Sequence, residues 1–206
     1  MRAAVTALLL AALALPATAQ GRVVVVAADR ARAELLDVSS NTITGRVALP
    51  GQARAVATAP DGSRAYVTAG HGVSAIDLGA RAVTATARLG GAVTAVATSP
   101  DGARVYATRG RALEVIDAAA MRRLAAIRLP RRARALAVAP DGTRALVSFA
   151  GGRGGAVVDL AAQRVRRRLR IAGAGAIAFD AVTARGSRRP CARVGGARAA
   201  SFPSTR

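Results

Sequence analysis

The stretch A-V-A-T-S-P-D-G-A-R-V-Y-A-T, residues 95–108, followed by L-E-V-I-D at 113–117, decides the fold. Its opening alternates small and branched residues, the pattern of a half-buried strand. Pro100, Asp101 and Gly102 then supply a tight turn. Proline fixes φ, aspartate bonds its own backbone two residues on, and glycine accepts a positive φ. A second strand around Tyr106 and a third ending on Ile116-Asp117 complete the unit.

The same signals recur at a spacing of 40, since Asp61-Gly62, Asp101-Gly102 and Asp141-Gly142 each follow a proline. Alternating strands precede each turn, as in Arg54-Ala55-Val56-Ala57-Thr58 and Arg134-Ala135-Leu136-Ala137-Val138. Third strands end on Leu36-Asp37, Ile76-Asp77, Ile116-Asp117 and Val158-Asp159. The last interval is 42 because the loop from Gly151 to Gly155 is longer by two. A fourth strand follows each acid, as at 82–87 and 124–127. Four short strands per forty residues predict an all-β fold, a β-propeller of four-stranded antiparallel blades with about four blades present. Period-2 alternation excludes helical solenoids, and an open β-sandwich is the competing arrangement.

The run at 95–117 resembles the YVTN-type β-propeller repeat, named for a tyrosine-centred second strand. That strand is seen here as Tyr66-Val67-Thr68 and reduced to Leu146-Val147-Ser148. The resemblance covers roughly residues 22–185 and implies an exported or surface-exposed propeller, in a family whose members usually have more blades than this chain supplies. Some relatives are lactonase-like or carry a haem-binding propeller, so the resemblance leaves function open.

Boundaries follow from the repeat. Met1-Arg2, the apolar run 3–15 and Ala17-Thr18-Ala19 read as a secretory signal peptide over 1–19. Its apolar part is shorter than the roughly twenty residues that span a bilayer, and no transmembrane segment is expected after cleavage. Propeller repeats fill 20–185: a partial blade at 22–50, blades at 51–91, 92–131 and 132–173, and a partial blade at 174–185. Residues 186–206 read as a basic, disordered tail. Two arrangements stay open. The strand at 176–180 joins the N-terminal strands to close a four-bladed ring, or the chain is a short member of a larger propeller. Export to the periplasm or the outside is the expected localisation, and the lone Cys191 offers no intramolecular disulfide.

The net charge of +20 is uneven, with 12 Arg and 8 acids in 1–120 (+4) against 19 Arg and 3 acids in 121–206 (+16). Such asymmetry fits a polyanion-binding surface. The candidate is the run 164–171, where simple alternation puts Arg164, Arg166, Arg168 and Arg170 on one face of an outer strand. The competing role for these arginines is to guard an edge against pairing. The scarcity of aromatic residues, 2% of the chain, argues against base stacking.

Little else points to chemistry. Asp61, Gly62, Asp101, Gly102, Asp141 and Gly142 are assigned to turns, and Asp37, Asp77, Asp117 and Asp159 to strand ends. His71 lies in a Gly-His-Gly loop. One His and one Cys do not make a metal site, haem attachment through C-x-x-C-H is absent, and no catalytic residue or cofactor is assigned. The expected function is an exported binding or scaffold module with a protein or polymer ligand. The alternatives are a fragment of a lactonase-like or redox-associated propeller enzyme, and polyanion binding, such as to nucleic acid, through the arginine strand.

Overall fold

Each proline-aspartate-glycine turn folds the chain back on itself, and the result is a series of antiparallel meanders. The computed structural model describes residues 22–26, 31–37, 40–172, 177–179, 191–194 and 197–201, with side chains over 31–37, 40–152 and 154–170. Sheet one holds β1 (Arg22–Val26), β2 (Arg32–Asp37) and β3 (Thr42–Ala48). Sheet two holds β4 (Ala53–Thr58), β5 (Arg64–Ala69), β6 (Gly72–Asp77) and β7 (Ala82–Arg88). Sheet three holds β8 (Val93–Thr98), β9 (Arg104–Arg109), β10 (Ala112–Asp117) and β11 (Arg123–Arg128). Sheet four holds β12 (Ala133–Val138), β13 (Arg144–Phe149), β14 (Arg153–Asp159) and β15 (Arg164–Ala172). Sheet five holds β16 (Ile177–Phe179), β17 (Cys191–Val194) and β18 (Ala197–Ser201). Strands pair in chain order in every sheet, so each is a propeller blade, whole or partial, and the all-β propeller architecture read from the repeat is the one observed.

The blades stack through their first strands. β4 lies beside β8, β8 beside β12, and β12 beside β16. The Thr98 hydroxyl donates to the Thr58 carbonyl at 2.9 Å across one such seam. The core is a set of seams between successive sheets. Leu35 and Val47 of sheet one meet Val67 and Ile76 of sheet two. Tyr66 and Val73 of sheet two meet Val105 and Ile116 of sheet three. Tyr106, Leu113 and Val115 of sheet three meet Leu136, Val147 and Val158 of sheet four. The second-strand tyrosine of one blade thus fills the face of the next. Alanines such as Ala33, Ala65, Ala107 and Ala145, none of them exposed, let the sheets approach closely.

Two findings sharpen the sequence reading at the C-terminal side. β16 pairs with β17 and not with β1, so among the described residues the overlap that would complete sheet one is not formed. Within 186–206, read above as a tail, Cys191–Val194 and Ala197–Ser201 are paired strands. The cue is Gly195-Gly196 between two short alternating runs, a two-residue hairpin signature. Residues 1–19, read above as a signal peptide, lie outside the described residues. Among the described residues, no helix is long and apolar enough to cross a membrane.

Candidate functional site

Antiparallel meanders send alternate loops to opposite ends of the blades, and this sorts the charges. The loops joining first to second strands, and third to fourth, share one end. Gly62, Gly102 and Gly142 turn there with φ of 71°, 72° and 69°. The Asp61, Asp101 and Asp141 carboxylates each accept the amide two residues on, from Ser63, Ala103 and Thr143, at 3.0 Å. Hydrogen bonds from the Ser63 amide and hydroxyl hold Asp61 below the usual carboxylate range. The Ser99 hydroxyl and the Ala103 amide do the same for Asp101. Asp77 accepts the amides of Gly79 and Ala80, Asp117 those of Ala119 and Ala120, and Asp159 that of Ala162. Asp37 accepts the Ser40 amide. Each described aspartate therefore sits at this end and holds a turn together.

The opposite end is built from the loops joining second to third strands and the segments joining one blade to the next. Its described residues include no carboxylate. Exposed there are Arg54, Arg88, Arg111, Arg128, Arg131, Arg132, Arg134 and His71. Their charge is concentrated where sheet three passes to sheet four. Leu129 N donates to Arg111 O and Ala133 N to Gly110 O, both at 2.8 Å, which brackets Pro130-Arg131-Arg132 against the turn at 110–111. The Arg111 guanidinium itself donates to the Pro130 carbonyl at 2.8 Å.

The predicted arginine strand is less regular than its sequence. Asp159 faces Arg164 and Val158 faces Val165, but Val157 faces Arg167 and Ala156 faces Arg168. Arg166 is the extra residue of a β-bulge, and alternation reverses across it. Arg168 thereby shares the side of Val165, which packs on the seam with sheet three, whereas Arg164 points to the other side. The four arginines expected on one face are split, and Arg166 leans on Asp159 at 3.8 Å. Arg164, Arg166, Arg168 and Arg170 are all exposed. Equivalent shifts at Leu35/Leu36, Ala75/Ile76 and Val115/Ile116 show that the bulge belongs to the repeat.

The structure also brings forward residues that the sequence reading left aside. Glu114 is fully buried on β10, with Oε1 accepting from Arg109 Nε at 2.9 Å and Nη2 at 2.7 Å. Its Oε2 has no hydrogen-bond partner and faces Arg123 Nη1 at 3.7 Å. Thr68 and Thr108 are buried on the second strands and serve bulges in the first strands. The Thr68 hydroxyl accepts the amides of Arg54 and Ala55 at 3.1 and 2.9 Å, and Thr108 bonds the Thr94 hydroxyl at 2.8 Å. Their recurrence at a 40-residue spacing was the available signal. Among the described residues, no group of three or more His, Cys, Asp or Glu is placed to hold a metal. The side chain of Cys191 lies outside what is described.

No family model and no curated protein matches the chain. Among solved structures it is similar to Kuenenia stuttgartiensis hydrazine synthase, a β-propeller-containing protein, with a TM-score of 0.70 and 23% identity. The match covers 76% of this chain and 48% of that one, so the chain spans about half of its neighbour's length. At that identity the likeness is one of fold.

Proposed function

We propose that the chain is an exported β-propeller of the YVTN type that works as a binding module and does not catalyse a reaction. One observation carries this reading: the described carboxylates are committed to structure. The aspartates hold turns, Glu34 lies 3.2 Å from Arg46, and Glu114 is locked to Arg109. General acid-base catalysis needs a carboxylate or imidazole facing the reacting group in converging geometry. His71 is exposed in its turn, and its carbonyl accepts the Leu89 amide at 2.9 Å. What the surface offers in quantity is guanidinium, which binds anions and stays protonated. The leader-like residues 1–19 support export.

The test is a screen of lactone and ester hydrolysis on the full chain, with and without added divalent metal, beside a reporter enzyme fused after Gln20 to detect export. The reading expects no turnover above buffer and an exported reporter. Reproducible turnover would overturn it in favour of the lactonase-like alternative, and a reporter retained in the cytoplasm would remove the export part.

A further inference from the structure

We infer that the arginine-rich end at the seam of sheets three and four is a docking site for an acidic peptide segment of a protein partner, which rests on the binding-module reading above. The repeat supplies its own control. The segments joining successive blades are Pro50-Gly51-Gln52, Gly90-Gly91-Ala92 and Pro130-Arg131-Arg132. All three are held by the same backbone bond, from Leu49 to Ala31, Leu89 to His71 and Leu129 to Arg111, at 2.8, 2.9 and 2.8 Å. Glycine, glutamine or alanine suffices for that geometry, so the fold does not require the guanidinium groups of Arg131 and Arg132.

Their surroundings favour an anionic ligand. The Arg111 guanidinium donates to the Pro130 carbonyl and so is positioned beside Arg131 and Arg132, and a group positioned in advance loses less entropy on binding. Arg134 follows on the first strand of sheet four and is exposed. Glu114, the nearest acid of sheet three in sequence, is buried and taken by Arg109, and the described aspartates lie at the far end. The cationic field at this seam is therefore not neutralised locally.

The same features select the class of ligand. Among the described residues the exposed large apolar side chains, Ile43 and Leu124, are each second in their strands, at the aspartate end. The arginine end thus offers no apolar wedge for a bilayer and no aromatic platform for bases among its described residues. Guanidinium forks pair with carboxylates bidentately, and arginine clusters are a recurring way to read acidic motifs. A patch concentrated at one seam suits a short segment better than a duplex or a membrane plane.

The experiment is fluorescence anisotropy of a labelled peptide of alternating Asp and Glu with the full chain at low salt. An Asn/Gln peptide, a single-stranded oligonucleotide and phosphatidylglycerol vesicles serve as the other arms. Expected are preferential binding of the acidic peptide, and a loss of about tenfold or more in the Arg131→Ala/Arg132→Ala variant. The Lys variants at both positions should recover part of the affinity, and Arg164→Ala/Arg166→Ala should bind as the parent does. Thermal melts of both variants report that the fold is kept. No peptide binding, parental affinity in the double variant, loss in the outer-strand variant, or preference for oligonucleotide or vesicle would each overturn the inference. None of these results touches the binding-module reading, which falls to turnover.

Discussion

Thr68 faces a bulge in β4 whose two amides have no strand partner, and its hydroxyl receives both. Replacing it by valine keeps the volume but leaves those donors without an acceptor, at a cost of about 2 kcal/mol. Thr68→Ser should retain most of the stability, and urea unfolding of the two variants checks the difference. Glu114 poses the opposite case, a buried charge. Arg109→Ala strands it with Arg123 at 3.7 Å and should cost about 3 kcal/mol. Glu114→Leu, which removes the charge itself, should cost less, and the same denaturation curves check it. At Asp61 and Asp101 the folded state holds the carboxyl group below its ordinary value of 3.8. A depressed folded value means that their contribution is fully present above the unfolded value and is lost as pH falls through the folded one. The melting temperature should therefore decline below about pH 4, and Asp101→Asn should flatten that decline.

Strands and turns were legible because their signals are local. Period-2 alternation and the Pro-Asp-Gly turns marked β4 to β13 from sequence alone. The bulges were not legible, because a bulge is a property of pairing between two strands and the run 164–170 looks regular when read singly. That is why the four outer-strand arginines were expected on one face and are divided by Arg166. The seam cluster was missed for a related reason. Arg111 is separated from Arg131 by a whole hairpin, and it is the bonds from Leu129 to Arg111, from Ala133 to Gly110 and from the Arg111 guanidinium to Pro130 that bring their segments together. The turns after the third strands hold another feature, a positive φ at Asn41, Arg81, Met121 and Gln163. Asparagine tolerates that region, whereas longer side chains pay about 1 kcal/mol there. Gln163 is exposed, so Gln163→Gly should raise stability by about 0.5–1 kcal/mol, read as a higher urea midpoint with an unchanged slope.

At the scale of the whole molecule, stability resides between blades. Each apolar cluster draws on two neighbouring sheets, so a blade without its neighbour keeps its hydrogen bonds but loses much of its core, the nearest-neighbour economy of a repeat protein. Sheet four shows both sides of this. Val147 and Val158 face sheet three, while Leu146 and Val157, paired across the same strands, face the other way and are only 3% and 9% exposed. β16 runs beside β12 and β13 on sheet four. Ending the chain after Ala172 removes sheet five and should uncover Leu146 and Val157. With about 1.5–3 kcal/mol for each fully buried aliphatic side chain, the truncated chain should lose about 3 kcal/mol or more and bind a hydrophobic dye that the full chain does not. Leu146→Ser in the full chain separates burial from chain length. If both variants melt as the parent does, sheet five does not cover sheet four in solution, and the stacking of blades ends at Ala172.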